Sequence, residues 1–496
     1  MSKKKPNVLF IFSDDLRPEL GCYGCEHVIS PNIDRLASMG CHFEKSYVQI
    51  SLCNPSRASM LTGKRPDQLS LWGLDTHFRE SSPDVVTLPQ HFMAHGYHTA
   101  AIGKIYHNDK HDPASWSEPR LVIDGYPYDP DAVYRDDGNI HYLEQRKEEI
   151  RKEGREEKFI DPYGHWYLKA CATEMPDVPD DAYYDGAQTD VAIDKLSELV
   201  GKDQPFFFGL GYYRPHLPFN VPKKYWDMYD RETIELAEYD MPPLGAPPMA
   251  LNNMRELRGY TDFNDCEHPN DSQLNKQDAR LLRHGYFASV TYIDRQIGKV
   301  LDHLEHLGIL DETIIVLWGD NGWKLGDYGS WCKMTNYEMD TRVPLIIKPA
   351  DNFEGAGGRD QIVESLDIYP TLCDLAGLPQ PDGLAGESFI GHFDDSLQPG
   401  KSHAFSQFLR YGIWGAPNGK ETMGYTVRTE HWRYVEWFHS DCDQVIAKEL
   451  YNITEQGLEQ NNLSGQQQYA GIEGELAQHL AEYRGSTLPL DASDRR

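Results

Sequence analysis

The chain has 496 residues, too many for one average domain, and its 40% hydrophobic and 11% aromatic content is that of a folded protein rather than a disordered one. Lys and Arg number 48 against 78 Asp and Glu, a formal charge of −30 that argues against a nucleic-acid-binding surface and leaves any anionic ligand to a local cluster of cations. Nine cysteines, odd in number and unevenly spaced, argue against a disulfide framework.

In chain order, Met1-Ser-Lys-Lys-Lys5 leads almost directly into the apolar run Val8–Phe12. That run is far shorter than a signal-peptide core, and no segment approaches a membrane span. The expectation is a cytoplasmic chain with no membrane partner, or a periplasmic or secreted one if a leader has been trimmed. Val8–Phe12 itself is predicted to be a buried strand. Cys22 and Cys25 have CxxC spacing, but no second pair follows at a zinc-site distance. Asn32–Met39 is predicted to be a short helix closed by Gly40, with an extended segment over Cys41–Val48. A helix from Thr87 to Gly96 leads into a strand over Tyr97–Ile102, and Phe206–Tyr212 is a further buried strand that opens into Arg214-Pro-His-Leu-Pro218. Tyr286, Val290, Ile293, Ile297, Val300 and Leu304 recur at spacings of three and four, the mark of a long helix with one apolar face. Thr313–Trp318 is a strand that delivers Gly319-Asp-Asn-Gly322 at its carboxyl end, where ligands sit in open α/β sheets.

Two stretches, Trp116–Asp180 and Pro242–Gln277, are rich in Pro, Gly, Asp and Tyr and lack a period; they read equally as insertions walling a pocket and as ordinary surface loops. After Leu378 the pattern changes. Tyr425–Arg428 and Trp432–Trp437 read as paired strands, and Ile472–Tyr483 as a final helix. The fold class expected is α/β: a large mixed, mostly parallel sheet sandwiched by helices over residues 1–378, and a smaller C-terminal α+β subdomain with an antiparallel sheet over 379–496.

The residues that carry chemistry cluster at element ends. In Cys53-Asn-Pro-Ser-Arg57, Pro55 suits a first helical turn, which places Cys53 beside unpaired backbone N–H groups at a helix start, an anion site by itself. Such a cysteine alone is more often inert and buried. Asp14-Asp15 and Asp320-Asn321 each follow a strand. Either pair alone suits a turn, but adjacent carboxylates repel unless a cation neutralises them, so the two tips converging on one site imply a hard divalent ion, Ca2+ or Mg2+ rather than zinc.

The Cys-x-Pro-Ser-Arg run, followed by Leu61-Thr-Gly-Lys-Arg65, matches the sequence read by formylglycine-generating enzymes, and the chain resembles the formylglycine-dependent sulfatases of the alkaline phosphatase superfamily. The resemblance is closest to the iduronate 2-sulfatase group. It is carried by Asp14-Asp-Leu-Arg-Pro18, Gly103-Lys-Ile-Tyr-His107, Arg214-Pro-His-Leu-Pro-Phe219, Asp320-Asn-Gly-Trp323 with Lys333 downstream, Phe405-Ser-Gln407 and Glu449-Leu-Tyr451. Asn321 departs from that group, which carries His there, and agrees with most other sulfatases.

The resemblance implies an alkaline phosphatase-like fold and a metal site of Asp14, Asp15, Asp320 and Asn321, completed by modified Cys53, holding calcium with magnesium as the alternative. It implies that Lys104 and Lys333 bind sulfate oxygens, that Arg57 orients the nucleophile, that His107 contacts its hydroxyls, and that His216 faces the ester oxygen as general acid. The implied reaction is hydrolysis of a sulfate monoester on a sulfated small molecule or oligosaccharide, with a uronate 2-O-sulfate as the narrower reading. The implied partner is a formylglycine-generating or anaerobic maturation enzyme. Trp72, His77, Trp323 and Tyr328 are candidates for stacking on a sugar ring. Two other readings stand beside this one: a phosphonate or phosphate mono- or diesterase of the same superfamily, and a binding protein that keeps the fold without catalysis. The sequence assigns no oligomeric state.

Overall fold

The computed structural model describes residues 5–108, 110–126, 132–154, 168–351, 353–394, 398–411, 421–439 and 444–487. Its centre is a seven-stranded sheet whose strands run, in spatial order, Gly357–Glu364, Cys41–Tyr47, Leu345–Lys348, Thr313–Gly319, Asn7–Asp14, Phe206–Pro215 and His98–Gly103. All neighbouring pairs are parallel except those made by Leu345–Lys348, which is antiparallel to both its neighbours. This is the mixed, mostly parallel sheet expected.

The continuous apolar character of the inner strands follows from burial on both faces. In the strand Asn7–Asp14, Leu9 and Ile11 join one core with Phe208, Leu210, Ile315 and Leu317, while Val8, Phe10 and Phe12 join the opposite core with Phe207, Val316 and Trp318. The period of two assigns alternate residues to opposite faces. Helices Pro31–Ser38, Tyr184–Val200 and Lys276–His306 feed the first core; Cys53–Thr62, Leu88–Ala94 and Ile368–Leu375 feed the second.

Local chemistry sets the element ends. Thr87 caps Leu88–Ala94, accepting a hydrogen bond from the backbone of Gln90, whose side chain returns to the Thr87 N–H. The predicted helix over Asn32–Met39 spans Pro31–Ser38, with proline at its first position. Among the described residues of the stretch 116–180, the helix Asp137–Lys152 escaped the reading: only Asn139, Leu143 and Ile150 are buried in it, so it carries no apolar stripe.

A second, four-stranded antiparallel sheet follows in the order His403–Arg410, Thr422–Thr429, Trp432–His439, Val445–Asn452, and the helix Ala470–Thr487 packs on it through Leu476, Leu480 and Tyr483. It abuts the larger sheet directly, since Gln407 pairs with Ile50 and Lys401 with Ile362. Among the described residues, no helix is long and apolar enough to cross a membrane.

Candidate active site

Register brings four strand ends together. Ser13 lies opposite Gly319 on one side and Tyr212 on the other, and Gly103 lies opposite Gly211, so the residues that follow these strands emerge at one edge of the sheet. These are Asp14 and Asp15, Lys104, His216, and Asp320 with Asn321. The close approach of two of the strands depends on glycine. A Cβ on Gly211 would stand 2.1 Å from the Lys104 carbonyl oxygen, and Gly103 has φ +77°.

Asp15 has φ 62°, a left-handed conformation that Asp tolerates better than most residues and that re-aims the chain at the strand tip. Its Oδ1 accepts hydrogen bonds from Lys333 Nζ at 2.5 Å and Asn321 Nδ2 at 2.7 Å, and its N–H donates to Asp320 Oδ1 at 3.1 Å. Lys333 is flanked by two further left-handed residues, Cys332 (φ 66°) and Met334 (φ 74°). Arg57 has no exposed side-chain surface. Its Nε donates to Asp320 Oδ2 at 2.7 Å and its Nη2 to Asp14 Oδ1 at 3.3 Å, and Lys104 Nζ pairs with Asp14 Oδ2.

Cys53 opens the helix Cys53–Thr62, so a helix start does face this cluster, and Ser56 Oγ ties the first turn to the Asp320 carbonyl at 2.5 Å. Ligand atoms of Asp14, Asp15, Cys53 and Asp320 all lie within 4.8 Å of one another. Cys53 and His107, with His216 and Lys333, line a cavity of about 460 Å³, within the range of small-ligand sites.

The electrostatics are those of a site built around a cation. Burial raises the Asp15 carboxyl to about 7, an effect that Lys333 and His216 only partly offset and to which Asp14 and Glu256 add a smaller repulsion. Burial likewise raises Asp320 despite Arg57. Asp14 goes the other way: burial opposes its charge, but Lys104, His216 and Arg57 hold it well below the usual carboxylate range. Asp15 Oδ2 and Asn321 Oδ1 are buried and accept no hydrogen bond. Two orphaned oxygens beside under-neutralised carboxylates, in an all-oxygen donor set, fit a hard divalent ion. Cys53 as a thiol is pushed well above its ordinary range by burial and then by Asp14, so it stays protonated.

His216 donates from Nδ1 to the Leu217 carbonyl at 2.5 Å, and its Nε2 meets Glu256 Oε1 at 2.7 Å and Asp15 Oδ2 at 3.8 Å. Burial and Lys333 oppose its protonation, yet Asp15, Glu256 and Asp14 outweigh them and raise its pKa. All ten residues singled out from the sequence thus come to one place. The structure adds Glu256, which the sequence reading missed because it lies on the short helix Arg255–Arg258 inside the aperiodic stretch 242–277. That stretch does wall the cavity, with Asn253, Arg255, Glu256 and Arg258, and Lys169 joins from the stretch 116–180.

The aromatic candidates do not face this cavity. Trp323 is 1% exposed in the sheet core, Tyr328 donates to buried Glu459, His77 caps the helix Phe78–Ser81, and Trp72 donates to Asp67 at 2.7 Å. Large rings satisfied the interior before any ligand. Cys25 of the CxxC pair is also otherwise engaged: its Sγ contacts His27 Nε2 at 3.4 Å, and His27 meets Glu19, whose carboxylate is already held by Arg17 and Arg283.

Comparison with known proteins gives a consistent picture. The family described as Sulfatase matches residues 6–378, and that described as N-sulphoglucosamine sulphohydrolase, C-terminal, matches residues 326–486. The chain is 33% identical to iduronate 2-sulfatase of Homo sapiens over 529 residues, covering 92% of this chain and 90% of that protein. To iduronate 2-sulfatase of Mus musculus it is 32% identical, over 94% of this chain and 92% of that one. Among solved structures, BT4656 in complex with its substrate D-glucosamine-2-N,6-O-disulfate superposes with a TM-score of 0.73 at 22% identity, covering 99% of this chain and 100% of that one. The phosphonate monoester hydrolase from Silicibacter pomeroyi superposes equally well, with a TM-score of 0.73 at 22% identity over 98% of this chain and 96% of that one.

Proposed function

Because this chain belongs to the sulfatase family and is a sulfuric ester hydrolase, we propose that it releases inorganic sulfate from a sulfated sugar or oligosaccharide, with residue 53 as nucleophile. The observation that carries this reading is the convergence of Asp14, Asp15 and Asp320 on Cys53 at a helix start, below a ligand-sized cavity. Relatives that cover nearly the whole chain are named for iduronate 2-sulfate, which makes a 2-O-sulfated uronic acid the first substrate to test.

A divalent ion, which we assign as calcium on Asp14, Asp15, Asp320 and Asn321, would supply charge neutralisation for the sulfate, and formylglycine made from Cys53 would supply a hydrated aldehyde as nucleophile. The side chains divide the remaining work. Lys333 lines the cavity and Lys104 sits on Asp14; these two ammonium groups would receive sulfate oxygens whose charge would otherwise resist attack. Arg57, locked between Asp14 and Asp320, keeps a fixed positive charge beside residue 53. With Nδ1 donating to Leu217, His216 carries its transferable proton on Nε2, and three carboxylates keep it there until the departing alcohol oxygen takes it. His107, which shares the cavity with Cys53, serves as the base that takes a hydroxyl proton from residue 53 when sulfate leaves.

The comparisons add to the phosphorus-ester reading only a superposition at 22% identity, which carries the fold alone. The test is direct. Native protein is incubated with a 2-O-sulfated uronic-acid disaccharide and with 4-nitrophenyl sulfate, and sulfate release is measured. We expect release that Cys53→Ala abolishes, and a Cys53 peptide lighter than its thiol form by about 18 Da, as exchange of SH and one hydrogen for an aldehyde oxygen requires. An active native preparation with an unmodified peptide would contradict the nucleophile; no sulfate from any ester would contradict the function.

A further inference from the structure

The cavity above Cys53 is lined by a carboxylate that the sulfatase resemblance leaves without a role, beside the unassigned cations Lys169, Arg255 and Arg258. Glu256 Oε1 lies 2.7 Å from His216 Nε2 and 3.4 Å from Lys333 Nζ, and its side chain is 9% exposed. Its second oxygen accepts no hydrogen bond. Its helix, Arg255–Arg258, is entered through Met254 at φ 53°, a backbone reversal that brings the 242–277 stretch down onto the strand tips. Cys53, His216, Lys333 and Glu256 line the same space. Although burial opposes its charge, Lys333 and His216 hold the carboxyl well below the usual range, so it is an anion. A fixed negative charge therefore faces the two groups proposed to receive the ester.

The consequence concerns charge, not shape. A sulfate monoester carries one negative charge. A phosphate monoester, whose second pKa is about 6, carries nearly two above neutrality. Whatever the total charge of the site, one extra carboxylate within a few ångströms penalises a second ligand charge. Between two unit charges about 4 Å apart, that penalty is roughly fivefold if fully screened by water, and far larger at the effective dielectric of a partly buried site.

We propose that Glu256 is a specificity-determining residue whose carboxylate selects a singly charged ester group over the doubly charged group of a phosphate monoester. The assignment rests on the reading of this cavity as the ester site. It is tested with kcat/KM for three 4-nitrophenyl esters at about pH 8: the sulfate and the phenylphosphonate, both monoanions, and the phosphate, a dianion. Wild type is compared with Glu256→Gln, Glu256→Ala and Glu256→Asp, each checked by thermal melting.

Loss of the charge in Gln or Ala should raise the phosphate-to-sulfate ratio about tenfold or more while the phosphonate-to-sulfate ratio moves by less than about threefold; Asp should leave both ratios near wild type. Two neutral substitutions keep the comparison available if one of them fails to fold. An unmoved phosphate ratio in a folded neutral variant overturns the assignment. So does a phosphonate ratio that rises in parallel, since that would mark preference for phosphorus rather than for charge. Wild-type sulfate turnover with unmoved ratios sinks only the role of Glu256, whereas a wild type inert towards every sulfate ester sinks the function it rests on.

Discussion

Arg57 stands between Asp14 and Asp320 with no exposed side-chain surface, and its loss would strand two buried carboxylates. Breaking a buried pair from one side costs about 3–5 kcal/mol. In chelator-treated protein, Arg57→Met should therefore lower the denaturant-derived stability by that order, and added calcium should restore part of it by neutralising the same oxygens; a loss below about 1 kcal/mol would mean that the carboxylates are neutral without it. The site was legible from the chain because Asp14, Asp15, Lys104, His216, Asp320 and Asn321 stand where buried strands end and Cys53 and Arg57 share one motif at a helix start, so that local patterns forecast a shared location. Glu256 was not. Its approach to His216 depends on how a loop with no period packs across the sheet, which no neighbouring residue encodes. Trp323 and Tyr328 misled for the converse reason: an aromatic near a motif reads the same whether it faces ligand or core, and here the core holds both.

At the level of elements, the two sheets are joined by an ion cluster about Glu364, which ends the edge strand Gly357–Glu364. It accepts both terminal nitrogens of Arg65, at 2.8 and 3.0 Å, Lys401 at 2.9 Å and the Phe405 N–H at 3.1 Å, with 2% of its side chain exposed. Arg65 comes from just beyond the Cys53 helix and Phe405 from the C-terminal sheet, so one carboxylate links the nucleophile's helix to the second sheet. Burial opposes its charge, but Arg65 and Lys401 depress its pKa strongly. A depressed carboxyl contributes stability that is fully present above its unfolded value of roughly 4.3 and is lost as pH falls toward the folded value. Acid titration of unfolding should thus show a loss of stability below about pH 4.5 that is shallower in Glu364→Gln, which should itself be less stable at neutral pH by about 3–5 kcal/mol; equal acid limbs would refute the link. The strands and long helix that build this frame were readable because period two and period three-to-four patterns are local. The helix Asp137–Lys152 was not, since a mostly solvated helix leaves no stripe to read.

Over the whole molecule, a chain of net charge −30 concentrates Arg57, Lys104 and Lys333 at the carboxyl edge of its central sheet, where parallel strands deliver polar residues side by side. An anionic ester is thereby admitted locally by a surface that repels it at a distance. The buried carboxyls of Asp15 and Asp320, whose pKa values burial raises, and the orphaned oxygens of Asp15 and Asn321 leave room in this arrangement for a bound cation. The most direct measurement is anomalous diffraction from crystals of the matured protein grown with calcium. The account predicts one strong peak within about 2.3–2.6 Å of oxygens from Asp14, Asp15, Asp320 and Asn321, beside residue 53. A fully occupied cation elsewhere with that oxygen cluster empty, or an active protein whose crystals hold no cation there, would contradict it.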